Sequence, residues 1–175
     1  MMAEPMTVWA EVWPVAADDI GLWLLGGDDW WREGPIMADS SEHFEIELLL
    51  RGHGVRMDDV LWLHSTSWRP EGPRHMDTYI AAVDAGPVAC ERWPRARPID
   101  PDLYDAVGRP PTHAATEEPV PRWLDVIFHG LGHLKDQMRK NATTRAAVGE
   151  LWRQRLEPFE ETLAGMYETP HPSAA

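Results

Sequence analysis

The run Asp39-Ser40-Ser41-Glu42-His43-Phe44-Glu45-Ile46-Glu47-Leu48-Leu49-Leu50-Arg51-Gly52-His53 decides the fold, because it carries two periodicities at once. Asp39 with Glu42 three residues later has the form of a capping box, and Gly52 and Gly54 supply stops, which favours a helix. Within it, Phe44-Glu45-Ile46-Glu47-Leu48 alternates apolar and acidic as a strand does. With its flanks the run outlasts the usual strand of about 5–6 residues, so it reads as a helix.

Working outward, Thr7 to Val15 alternates as a strand, with Val8, Ala10 and Val12 on one face and Trp9, Glu11 and Trp13 on the other. Asp18-Asp19 marks a turn, and Ile20 to Leu25, nearly all apolar, reads as a central strand that Gly26-Gly27-Asp28-Asp29 breaks. On the other side, Val60–Trp68 and Arg74–Val83 read as a hairpin closed by the loop Arg69-Pro70-Glu71-Gly72-Pro73. That loop would set Trp68 opposite Arg74, Ser67 opposite His75, Ser65 opposite Asp77 and His64 opposite Thr78. Residues 84–121 are proline-rich and lack periodicity, which predicts a surface excursion, most flexible over Arg109–Pro121. Pro121 opens a helix to about Asn141, with Leu124, Ile127, Leu131, Leu134 and Met138 on one stripe. A second helix is predicted over Thr143–Leu156, carrying Val148, Leu151, Trp152 and Leu156, and Pro158 ends it. Phe159, Leu163, Met166 and Tyr167 suggest a short last helix. The division is an α/β core over 1–100, a proline-rich loop over 101–121, helices packed on the core over 122–168, and a disordered tail over 169–175.

Composition narrows the function. The formal net charge is −13, which argues against non-specific nucleic-acid binding and against an anionic membrane surface. The more basic stretches are Arg92–Arg97 and Arg139–Arg155. Cys90 is the sole cysteine, which rules out an internal disulfide and suits a reducing cytoplasm. No run approaches the ~20 apolar residues of a membrane helix, and the first residues lack a signal peptide's basic and apolar regions. Ten tryptophans read mainly as core or core-edge residues.

The order strand, strand, Trp-Trp turn, helix ending in Gly-Val, strand, loop, strand resembles the Nudix fold over roughly residues 7–99. Trp31-Arg32-Glu33-Gly34-Pro35 stands where that family has W-x-x-P-G-G, and Gly54-Val55 stands where its helix ends. The resemblance implies an α+β fold: an α/β/α sandwich around a mixed sheet, here with a C-terminal helical extension. It also implies a helix whose glutamates grip magnesium against a diphosphate. The departure is plain. Glu47-Leu48-Leu49-Leu50-Arg51-Gly52 occupies those positions, and the segment counted from Trp31 is about three residues short. Leucines and an arginine cannot supply the oxygen ligands that magnesium requires.

Three polar groups remain. His129-Gly130-Leu131-Gly132-His133 sets two histidines at i and i+4, a spacing that binds zinc, with Asp125 and Asp136 within roughly an 80° arc. That arc also holds Arg122 and Lys140 and lies opposite the apolar stripe, so the expectation is a solvated face with an Asp136–Lys140 ion pair. Asp125, His129 and His133 are the metal candidates. The hairpin presents Ser65, Ser67, His75 and Asp77 on one face, expected to meet solvent or a ligand. Glu42 and Glu45, with Asp39, could offer carboxylates, although acids in a first helical turn are favoured by the helix dipole alone. The favoured reading is a non-catalytic protein binding a small molecule or a partner, with Trp31, Trp68, Arg74, His75 and Asp77 at the ligand. Two rivals stand beside it. One is a metal-dependent hydrolase of phosphorylated small molecules, using Asp39, Glu42, Glu45 or the His129/His133 pair. The other is an acidic protein that sequesters a basic partner.

Overall fold

In a computed structural model describing residues 7–27, 31–37, 40–103 and 123–163, the deciding run is a helix, α1 (Glu42–Gly52). Ser41 rather than Asp39 caps it, its side chain accepting the Phe44 N–H at 3.2 Å. Asp39 itself lies outside the described residues. Burial shows why the strand alternation loses. Ile46 and Leu50, four apart, are both 0% exposed, whereas Phe44 and Leu48 are 51% and 44% exposed. A strand would have placed Phe44, Ile46 and Leu48 in one environment.

Among the described residues α1 lies against a six-stranded sheet of order β4-β5-β1-β2-β6, with β3 also paired to β1. The strands are β1 (Thr7–Ala17), β2 (Leu22–Leu24), β3 (Trp31–Glu33), β4 (Val60–Glu71), β5 (Arg74–Val83) and β6 (Arg97–Ile99), with a one-turn helix, α2 (Ala89–Arg92), between the last two. β1 runs parallel to β5 and the other pairs are antiparallel. The sheet is therefore mixed and the class is α+β. The central strand is β1, not the Ile20–Leu25 segment, which contributes only three residues and leaves Ile20 66% exposed. The Asp18 carboxylate accepts the Ile20 and Gly21 N–H groups at 2.9 Å and turns the chain before β2. β6 lies inside the stretch that reads as a surface excursion. At the sheet edge its Pro98, opposite Trp23, interrupts no continuing ladder.

β1 alternates as its sequence predicts, and helices cover both faces. Ala10, Val12 and Ala16 share a core with Ile46 and Leu50 of α1. Trp13, Val15 and Ala17 share the other core with Ile127, Leu131, Leu134 and Met138 of α3 (Trp123–Lys140). Two glycines permit the second layer. A Cβ on Gly130 would lie 2.2 Å from Ile80 Cγ1, and one on Gly132 would lie 2.3 Å from the Glu160 carbonyl oxygen. The glycines of the histidine motif thus let α3 approach β5 on one side and admit the returning chain on the other.

The hairpin departs from the five-residue loop. Pairing continues to Glu71 opposite Arg74, leaving Gly72-Pro73 as the turn, with Gly72 at φ +61°. That tighter turn sets Trp68 opposite Asp77 and Ser67 opposite Thr78, and an irregularity between Ser65 and Ser67 then shifts the register so that Ser65 pairs with Tyr79 and His64 with Ile80. Beyond α3, the single helix expected over Thr143–Leu156 is two, α4 (Ala142–Val148) and α5 (Glu150–Arg155), separated by Gly149 at φ 90°. Leu156 caps α5, so Pro158 lies past the end. Phe159 is buried, but residues 160–163 are not helical. Arg109–Pro121, Met166, Tyr167 and the tail fall outside the described residues. No described helix is long and apolar enough to cross a membrane.

Candidate functional site

Alternation along β5 places His75, Asp77 and Tyr79 on the face that α1 covers, and the first turn of α1 brings Glu42 over them. The Tyr79 hydroxyl donates to Glu42 Oε2 at 3.4 Å, and His75 Nε2 lies 3.1 Å from Asp77 Oδ1. Trp68, opposite Asp77 on β4, stacks on the His75 ring with centres 5.1 Å apart and planes 14° apart. Trp68 is 52% exposed, so the stack opens to solvent. His43 of α1 meets Tyr79 edge-on at 6.4 Å.

The electrostatics are unbalanced. Burial pushes the Glu42 carboxyl above its ordinary value, and the Asp77 carboxylate pushes it further; the Tyr79 hydroxyl and His75 only partly offset this. The Tyr79 phenol is pushed up to about 12 by burial, then by Glu42 and Asp77. Two half-buried acids thus crowd together with His75 as the nearby base, beside the exposed Trp68 ring. Such a place favours a species that brings N–H donors or positive charge.

Three of the five residues expected at a ligand therefore meet: Trp68, His75 and Asp77. Trp31 does not join them. It is 4% exposed and packs under the far end of α1, stacked on His53 at 4.2 Å. Arg74 leaves the group as well, its guanidinium lying 4.2 Å from the Trp9 ring centre. Ser65 stays, paired with Tyr79 beyond the register shift, but the two-residue turn carries Ser67 away with Thr78. Tyr79 and Glu42 are additions. Tyr79 continues the period-two series of His75 and Asp77 and was legible on that ground; the arrival of Glu42 depends on how α1 docks.

The helix face expected in solvent is buried. Asp125, His129, His133 and Asp136 are 7%, 5%, 3% and 2% exposed. β4 and the chain after α5 cover them. His129 Nε2 lies 3.1 Å from the Thr66 carbonyl oxygen, His133 Nδ1 lies 3.3 Å from that of Thr162, and the Thr162 hydroxyl donates to the His129 carbonyl at 2.8 Å. Burial lowers the His129 pKa to about 4, and burial likewise lowers that of His133. The Asp136–Lys140 pair forms at 2.8 Å, with Asp136 beneath the surface. Among the described residues no three His, Cys, Asp or Glu side chains gather as a metal set. Of the rival carboxylates, Glu45 accepts from the Ser40 hydroxyl, while Glu42 faces Tyr79. Leu48, Arg51 and Gly52 of α1 are exposed.

One charged network escaped the sequence reading. Glu11, 1% exposed at the centre of the sheet, accepts from Arg69 at 2.7 and 3.1 Å, Arg32 at 3.0 Å, Thr78 at 2.9 Å and Trp13 at 3.2 Å. Burial raises its pKa, but the Arg69 hydrogen bond and the charges of Arg69 and Arg32 outweigh this and hold it below the ordinary value. Its signal was an acid between Trp9 and Trp13 on a face that otherwise reads apolar. The basic stretch after α3 lines a shallow cleft of about 280 Å³, where Lys135 and Arg145 bond backbone carbonyls and Arg139 and Arg153 bond carboxylates.

Comparison with protein-family models, with curated proteins and with solved structures gives no match.

Proposed function

We propose that the chain is a non-catalytic, small-molecule-binding protein on a Nudix-like scaffold, its ligand seated over β5 beside the N-terminus of α1. The observation that carries this is the exposed Trp68–His75 stack set against the Glu42 and Asp77 carboxylates. Trp68 offers a planar ligand a face, and the acids accept its N–H donors. With Arg74 elsewhere, the chemistry favours a planar ligand that is cationic or rich in donors over an anion. Leu48, Arg51 and Gly52 at the magnesium positions support a scaffold without the diphosphate-cleaving centre. The lone thiol of Cys90 supports a cytoplasmic setting.

Benzamidine, a planar cation, is a suitable probe. Titrated into 15N-labelled protein, it should shift the Trp68 indole and the amides of residues 75–79, whereas benzoate should not. Trp68→Ala and Asp77→Asn should each weaken binding about tenfold. Equal response to benzoate, or binding indifferent to both substitutions, would overturn the proposal. Magnesium-dependent diphosphate cleavage by pure protein would overturn its non-catalytic part.

A further inference from the structure

On the opposite face of the hairpin, β4 presents His64 to α3. We infer that His64 and His133 form a two-imidazole site for a divalent transition ion with the ligand preferences of zinc, their rings lying 5.1 Å apart, centre to centre.

The first argument is an acceptor left bare. His133 Nδ1 faces the Thr162 carbonyl oxygen at 3.3 Å. A carbonyl only accepts, so Nδ1 carries the proton and Nε2 is a lone pair. That Nε2 is buried and has no hydrogen-bond partner among the described residues. A buried acceptor without a partner has lost its water for nothing in return, and such an atom calls for an ion or a bound water.

His64 is built in the same way. Its Nδ1 lies 2.7 Å from the Ser65 carbonyl oxygen, which places a proton on Nδ1 and leaves Nε2 as the atom for an ion. Donation of the remote ring N–H to a backbone carbonyl is the usual way of fixing tautomer and orientation in a metal-binding histidine. Both rings are held further by Trp62, which stacks on His64 at 5.4 Å and lies 6.0 Å from His133.

The separation fits a shared ion. Zinc–nitrogen bonds are about 2.0–2.1 Å long. Adding about 1.1 Å from nitrogen to ring centre, two imidazoles on a tetrahedral ion have centres about 5 Å apart. The observed spacing is 5.1 Å with the planes inclined by 54°. His129 is no third ligand through Nε2, which the Thr66 carbonyl occupies. The remaining positions go to water on the exposed side of His64. Neutral imidazoles select zinc, copper or nickel over magnesium and calcium. Of the helical i, i+4 pair, only His133 serves; its partner comes from the sheet.

The test is calorimetric titration of the chelator-treated full chain with zinc sulfate at pH 7.5, together with NMR of the 15N-labelled imidazoles. One zinc should bind per chain, magnesium should not, and the Nε2 resonances of both His64 and His133 should move. His64 is exposed, so His64→Ala should fold normally and raise the Kd at least tenfold; His43→Ala and His53→Ala, at other exposed histidines, should not change it. Absence of stoichiometric binding, binding unchanged in His64→Ala, or a still His133 resonance would each overturn the inference. None of these readouts involves Trp68, His75 or Asp77, so this site and the proposed ligand site stand or fall separately.

Discussion

The two faces of β5 lie against acid groups drawn wholly or partly out of water, and they treat them in opposite ways. Toward α3, Glu11 meets two arginines, a hydroxyl and an indole, and its carboxyl is held below its ordinary pKa. Toward α1, Glu42 and Asp77 face each other with His75 and a phenol between them, and Glu42 is pushed above its ordinary value. In the first group both oxygens of the Glu11 carboxylate accept hydrogen bonds, and the carboxylate joins β1, β3, β4 and β5. The second is under-compensated and beside an exposed aromatic stack. A buried charge with every partner present is architecture, whereas one short of positive partners is a place where something else can bind.

The contrast can be broken most forcefully at Glu11. Glu11→Ala takes the shared carboxylate from Arg69, which is 13% exposed, and from Arg32, which keeps Glu71 at 3.2 Å, and should cost about 3–5 kcal/mol in urea unfolding. Pairing Glu11→Leu with Arg69→Met should recover much of that loss, because two charges leave together.

Acid acts next. His129 has a folded pKa of about 4, depressed from 6.5, and His133 is depressed too. Below 6.5 the unfolded chain takes up protons that the folded chain refuses. Stability is therefore intact above pH 6.5 and lost as pH falls toward 4, by roughly 3 kcal/mol for His129 alone. Glu11, also depressed, adds to the loss below its ordinary value of 4.5. Chemical denaturation across this range should show the slope, and His129→Gln should flatten the part between pH 6.5 and 4.

Gly130→Ala pushes a methyl to within 2.2 Å of Ile80 and should lower stability by about 1–3 kcal/mol. The smallest effect belongs to the under-compensated face. Glu42→Gln removes one of two opposed acids and should leave unfolding free energy at pH 7 unchanged within about 0.5 kcal/mol, while weakening benzamidine binding. A loss as large as that at Glu11 would erase the distinction between the faces.

Much of this fold was legible from local pattern. The alternation of β1 and the stripe of α3 follow from where consecutive side chains must point, and the helical reading of the run around Ile46 follows from its end signals and length. The site was legible where it rests on the same rule, as with His75 and Asp77. It was not legible where turn length and an inserted residue set the register. The turn at Gly72-Pro73, shorter than the loop read from the sequence, removes Ser67 from the face and brings Trp68 in, while the irregularity at Thr66 sets Ser65 beside Tyr79, and no periodicity announces either. Gly149 could have been read as a break, since a glycine inside a helical pattern is a poor helix former; three-residue β6 was too short to show a period.

Sequence alone determined the two-sided character of β1 and the amphipathic stripe of α3, because these are properties of neighbouring residues. Only the tertiary structure decided that the polar side of α3 lies out of water. A helix's own pattern says which of its sides is apolar, but the cover over its other side comes from residues far along the chain. Here Thr66 and Thr162 supply the backbone carbonyls that make burial of two histidines tolerable.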